Sequence, residues 1–214
     1  MRNVFDPEGP VMVALGKLAD LVFCNILFIL CSLPVFTIGA SLTALYRCTL
    51  SIAADTEESV IFRQFFVAFR RGFRRSTLLW LICLGAGIVL FLYSLAVGAM
   101  PEAYYRTYRV TLFLLLFLFL AGAQYFFPLQ AFYDLGVKAT LKTAWLLSAA
   151  AFPMTLAALL LPAAAFYLSF LMNPNAFNVM LYLWAFAVIA VIAYLKSFLF
   201  RRAFRKLPEE IRRL

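Results

Sequence analysis

Four polar side chains sit where polarity is costly. Asp20, Asn25, Arg47 and Gln124 interrupt long apolar stretches, and such a group either contacts a solute or ion or bonds a neighbouring helix. For Asp20, Asn25 and Gln124 the interhelical hydrogen bond is the expected use, as it is for Gln130. Asp134 stands one helical turn before Lys138 and in register to pair with it. Arg47, between Tyr46 and Cys48, must snorkel to the interface, pair with a carboxylate or meet an anion, and snorkelling is the expected outcome. Catalysis finds little to use. Histidine is absent, which removes the usual general base, the commonest metal ligand and every Ser-His or Cys-His nucleophile pair. Cys24, Cys31, Cys48 and Cys83 lack CxxC spacing and lie among apolar residues, so they read as packing groups rather than zinc ligands or disulfide partners. No enzyme, metal or cofactor is expected, because an intramembrane active site would need paired carboxylates or a histidine motif at depth.

The elements that must hold these groups follow from composition. Of the 214 residues, 65% are hydrophobic and 14% charged, and the mean hydropathy is +0.94, well outside soluble composition. A helix needs about 20 residues to cross roughly 30 Å of hydrocarbon. Residues 76–100, 110–132 and 176–195 are uncharged runs of that order, and they lack the polar face a soluble bundle would show at helical spacing. Residues 143–172 form a longer run holding Pro153 and Pro162. Pro153 suits the first turn of a helix, so a short helix near 141–151 should precede a span at 153–172 that bends at Pro162. The first run, 21–46, is broken at Pro34 and Gly39, and proline disfavours helix at the residue before it. The expectation is an all-α, polytopic transmembrane bundle forming one domain over 1–214, with about five spans near 17–32, 76–100, 110–132, 153–172 and 176–195. Residues 40–54, with Arg47 near their middle, fit a second span, a re-entrant segment or an interfacial helix.

Over residues 60–75, Phe62, Phe65, Phe66, Phe69 and Phe73 recur at three- and four-residue steps, with Arg63, Arg70, Arg71, Arg74 and Arg75 between them. This predicts an interfacial amphipathic helix, its rings in the acyl boundary and its guanidinium groups against anionic headgroups. A cytoplasmic partner could also dock there. The positive-inside rule places Arg47, the 63–75 arginines, Lys138, Lys142, Lys196, Arg201, Arg202, Arg205, Lys206, Arg212 and Arg213 on the cytoplasmic side. Only Arg2, Lys17, Arg106 and Arg109 oppose them, and the 173–178 connection is uncharged. Five spans then give an outside N-terminus and a cytoplasmic C-terminus. A full span over 41–53 would raise the count to six and force the arginine cluster outside, so the rule argues against it. The net charge of +9 is thus explained by orientation and lipid contact, and nucleic acid is not an expected partner. Ala187, Ala190, Ala193 and Ser197 make a small-residue stripe, for packing within the bundle, for a homodimer or for a partner's helix.

The block LADLVFCNILFILCSLPVFTIGASLTAL, with Asp20, Asn25, Leu33, Pro34, Thr37, Gly39, Ala44 and Leu45 in place, resembles the YesL family of bacterial integral membrane proteins, whose members are often described only as a domain of unknown function. FRQFFVAFRRGFRRS is similar to that family's FFxxFxxNF segment, with Gly72 where Asn is common, and FFPLQAFYD and KTAW fit its later segments. The resemblance implies association with carbohydrate-uptake and polysaccharide-degradation gene clusters, hence an accessory role beside sugar ABC transporters and contact with their membrane subunits. It carries no catalytic or ligand residue. The alternative is a small-solute channel or transporter in its own right, with the Pro34–Gly39 break as a discontinuous helix of the kind that builds binding sites. No matching break recurs in the second half.

Overall fold

The computed structural model describes residues 10–54, 60–99, 101–171 and 177–207. Arg2, Arg212, Arg213 and most of the uncharged 173–178 connection lie outside the described residues. The helices are α1 (Pro10–Ser32), α2 (Ile38–Ala54), α3 (Ile61–Gly98), α4 (Glu102–Tyr133), α5 (Val137–Ala150), α6 (Phe152–Phe166), α7 (Phe177–Leu183) and α8 (Ile189–Phe204). A 3-10 turn, Val35–Thr37, joins α1 to α2, and π-helical turns at Tyr167–Leu171 and Trp184–Val188 follow α6 and α7. Among the described residues six helical stretches are long and apolar enough to cross a membrane. The chain is a multi-pass membrane protein of all-α architecture.

The additional stretch is Val35–Ala54, which corrects the charge count that argued against a span there and is the most enclosed of the six. Its entry turn depends on three residues of the LPVFTIG block. Pro34 ends α1 in extended conformation. The Thr37 hydroxyl lies 2.6 Å from both the Cys31 and the Pro34 carbonyl oxygens, and Pro34 also accepts the Thr37 backbone N–H at 2.9 Å, so the turn closes where α1 ends. Gly39 then brings α2 against the α3 backbone: a Cβ there would collide with the Ser76 carbonyl oxygen and lie 2.6 Å from Trp80 Cβ. Thr43 and Ser76 share a 2.8 Å hydroxyl contact one turn further on. The break is therefore a tight corner between α1 and α2, from which α2 leaves packed on α3 at small residues.

Residues 60–75 do not form a separate helix. They run unbroken into the apolar run as the first turns of α3, whose 38 residues extend roughly 57 Å, well beyond the hydrocarbon thickness. Nothing in the sequence between Arg75 and Ser76 breaks a helix, so the basic segment stays rigidly attached to the span.

On the far side of the bundle Asn25 joins α1 to the π-helical turn. Its Nδ2 donates to the carbonyls of Trp184 at 3.2 Å and Ala185 at 2.6 Å, and its Oδ1 accepts from the Ala190 backbone N–H at 2.8 Å. The carboxamide thus stands between the Ala190 N–H and the Ala185 carbonyl, completing a ladder that the wider turn leaves open. Further in, Gln124 donates to the Thr155 carbonyl at 3.1 Å and Tyr125 meets the Thr155 hydroxyl at 2.8 Å, tying α4 to α6. The core between them is aromatic, with Phe200 packed 5.2 Å from Tyr125 and 5.8 Å from Tyr46 by ring centroids.

Candidate functional site at the basic end of the bundle

The C-terminal ends of α2, α4 and α8 gather at one end of the molecule. Phe204 of α8 stacks near Phe132 and Tyr133 of α4, and Arg201 donates to the Ala53 carbonyl at the end of α2. Lys206 donates to the Ala150 carbonyl at the end of α5, 2.9 Å away. Arg75 does the same for α4, its Nη1 lying 2.6 Å from the Asp134 carbonyl. Three helix C-termini are thus each met by a cation from another element, where exposed carbonyls and the helix dipole favour positive charge. Arg75, Arg201 and Lys206 thus have structural uses that charge counting alone does not reveal.

Asp134 does not use Lys138. It holds left-handed backbone (φ 48) as the C-cap of α4, and its carboxylate turns to α3, accepting from Arg71 Nε at 3.1 Å and Arg75 Nη1 at 3.0 Å. The pairing joins residues 63 and 59 positions apart, so helical spacing could not disclose it. The Arg71 side chain is 74% exposed, which limits the pair to about 1 kcal/mol or less. Left-handed backbone costs a non-glycine residue about 1 kcal/mol. Asp134→Gly is therefore expected to unfold at a higher temperature than Asp134→Ala, by about 1 kcal/mol of stability, in thermal unfolding of the two variants in detergent; equal stability would count against the strained cap.

Two recesses flank this strut and share Arg71 and Asp134. One, of about 630 Å³, lies between α2, α3 and α4 and is lined on its polar side by Thr43, Arg47, Arg63, Gln64, Arg71 and Gln130. The other, of about 730 Å³, is a groove along the outer face of α3 formed by Phe69, Arg70, Phe73, Arg74 and Arg75. Arg47 accordingly faces a cleft between helices instead of simply snorkelling. Phe65 corrects the amphipathic reading: it is fully buried in the protein core because α2 covers that side of α3, while Phe62 is exposed and Phe66, Phe69 and Phe73 are half-buried. Arg70 and Arg74 are exposed. Asp20 is half-buried on α1, one turn before Phe23, whose ring meets Phe62 in the first turn of α3. Of the small-residue stripe, Ala190, Ala193 and Ser197 are enclosed within the bundle, with Ser197 bonded to Thr49 of α2, and Ala187 is half-buried. Lys196, read with the cytoplasmic tail, is instead buried in α8 with its ammonium 5.5 Å from the Phe200 ring centroid.

The family comparison falls on this architecture. Residues 21–93 match the family DUF624, described as a protein of unknown function. The match takes in the second half of α1, the corner, all of α2 and most of α3, and so includes two of the three walls of the cleft. The α4 wall, Gln130 to Asp134, lies beyond it. No curated protein and no solved structure matches the chain.

Proposed function

We propose that this is a non-enzymatic inner-membrane protein of bacteria that works by association, as an accessory to a sugar ABC transporter. The observation that carries the reading is the outer face of α3, where exposed Arg70 and Arg74 and half-buried Phe69 and Phe73 form a groove rigidly continuous with a membrane span. A membrane subunit of the transporter is the occupant this reading gives that face, with lipid headgroups as the competing one. The YesL resemblance supplies the transporter link. The polar groups at depth support association over transport: Asn25, Thr43, Ser76, Gln124 and Tyr125 bond other helices.

The basic end belongs in the cytoplasm by the positive-inside rule. Six crossings and a cytoplasmic C-terminus require a cytoplasmic N-terminus as well, in place of the outside N-terminus that five crossings imply. Counting α2 as a span therefore does not expel the arginines; it reverses α1. A reporter fused before residue 10 should be active only as a cytoplasmic enzyme, and periplasmic activity would restore the five-span arrangement.

Reconstituted alone in liposomes, the protein should produce no saturable sugar flux, and saturable flux would transfer the assignment to a transporter acting on its own. Arg70→Glu with Arg74→Glu should leave the fold intact and lower co-purification of the ABC permease subunits by about tenfold, as expected for losing charged contacts worth about 1.4 kcal/mol together. Unchanged co-purification would remove this face from the interaction.

A further inference from the structure

We propose that the segment of the transporter subunit seated on α3 is an acidic amphipathic helix lying along residues 62–74, with its carboxylates spaced as the arginines are. This rests on the reading of that face as the subunit's docking site and adds what the subunit presents there. Phe62, Phe66, Phe69 and Phe73 stand at positions i, i+4, i+7 and i+11 and so form one ridge of the helix. Their ring centroids lie 4.8 Å apart between Phe62 and Phe66 and 5.6 Å apart between Phe69 and Phe73. One residue further on, Arg63, Val67, Arg70 and Arg74 repeat the same spacing, and all four are exposed. An apolar ridge beside a basic one is the surface that a helix with an apolar face and an acidic edge fills, with a contact at every turn.

The arginines of the second ridge are uncommitted. Among the described residues none of Arg63, Arg70 and Arg74 makes an ion pair or a side-chain hydrogen bond. No Asp or Glu occurs in α3, and the carboxylate of Asp134 is taken by Arg71 and Arg75. A layer of lipid headgroups does not reach all three. Arg63 and Arg74 are eleven residues apart on one unbroken helix, roughly 16 Å along its axis, or about 12 Å along the bilayer normal at a tilt of about 40°. The polar layer on one side of a bilayer is only about 5 to 7 Å deep. Arg74 stands two residues before the uncharged run that crosses the membrane, at headgroup level. Arg63 therefore lies beyond the headgroups, where the bilayer has no charge to offer and a protein segment supplies the carboxylates.

Carbodiimide joins a lysine amine to a carboxylate in contact with it, so the full-length protein is made as Arg63→Lys and as Arg70→Lys in cells that also express the transporter. Crosslinked peptides are then read by mass spectrometry. Both substitutions keep the charge at exposed positions, so extraction and unfolding temperature should match wild type. The expected result is an amide from each introduced amine to Asp or Glu of one cytoplasmic segment of the subunit, with the two acceptors about seven positions apart. Arg202→Lys, on the exposed face of α8, should give no such amide. Amides from only one of the two positions, acceptors in unrelated segments, or amides confined to this chain's own Glu57 and Glu58 overturn the proposal. If that happens, or no amide forms, while a photoreactive residue at position 74 still captures the subunit, the docking face stands and the acidic helix falls. Failure of capture at position 74 as well removes the docking face itself.

Discussion

Replacing Gly39 with alanine is expected to destroy the native bundle. The added methyl would occupy the place of the Ser76 carbonyl oxygen and come within 2.6 Å of Trp80 Cβ, and both obstacles belong to the α3 helix itself, Trp80 through the one side-chain atom that cannot swing away. Relief would require moving α2 off α3 along a contact that includes the Thr43–Ser76 hydroxyl pair and the fully buried Leu45, Phe65 and Leu79. Overpacking of this kind costs about 3 kcal/mol at the upper end of its usual range, a large share of the total stability of an ordinary domain. The expected readout is loss of monodisperse protein after detergent extraction. Gly16→Ala, at a helical position with open space around it, should extract normally. A Gly39→Ala protein as stable as wild type would show that α2 does not pack on α3 as described.

Asn25→Leu is expected to cost about 2 kcal/mol or more, since it removes three interhelical hydrogen bonds whose individual worth in membranes is about 0.6 to 1.7 kcal/mol. The substitution keeps the branched outline of the side chain but adds bulk at a buried position, so overpacking adds to the cost of the lost polar contacts. It leaves the Trp184 and Ala185 carbonyls and the Ala190 N–H without a side-chain partner in a region where water is scarce. The π-helical turn Trp184–Val188 should then relax toward regular helix. Reversible unfolding in mixed micelles measures the cost, and hydrogen exchange at Ala190 should accelerate. A neutral Asn25→Leu would mean that the turn does not need the amide.

The same two residues show what a sequence can and cannot disclose. Both stand in the block that carries the family resemblance, and the apolar runs around them made the all-α membrane architecture plain. Asn25 was readable as an interhelical hydrogen bond because hydrocarbon leaves an amide few other uses. Its partners were not readable, because they are backbone groups about 160 positions away exposed by a π-helical turn that has no local signature. The corner at Pro34 was legible from proline chemistry, whereas the span that follows was obscured by Arg47. That arginine reads as a penalty for crossing, and only the cleft formed by α3 and α4 shows how it is accommodated. The amphipathic pattern at 60–75 was correctly periodic, yet its extension into the next span and the burial of Phe65 depend on α2 lying alongside. At the candidate site the outer groove was visible as alternating Phe and Arg. The inner cleft was invisible, because it needs Arg47, Arg63 and Gln130 from three helices brought to one place.

The claim that the protein works by association through its basic end is tested most directly by crosslinking in native membranes. A photoreactive residue placed at position 74, on the exposed outer face of α3, should form an adduct with an integral membrane subunit of a sugar ABC transporter in cells expressing both. Adducts to lipid alone at that position, in cells where the transporter is present, would contradict the account.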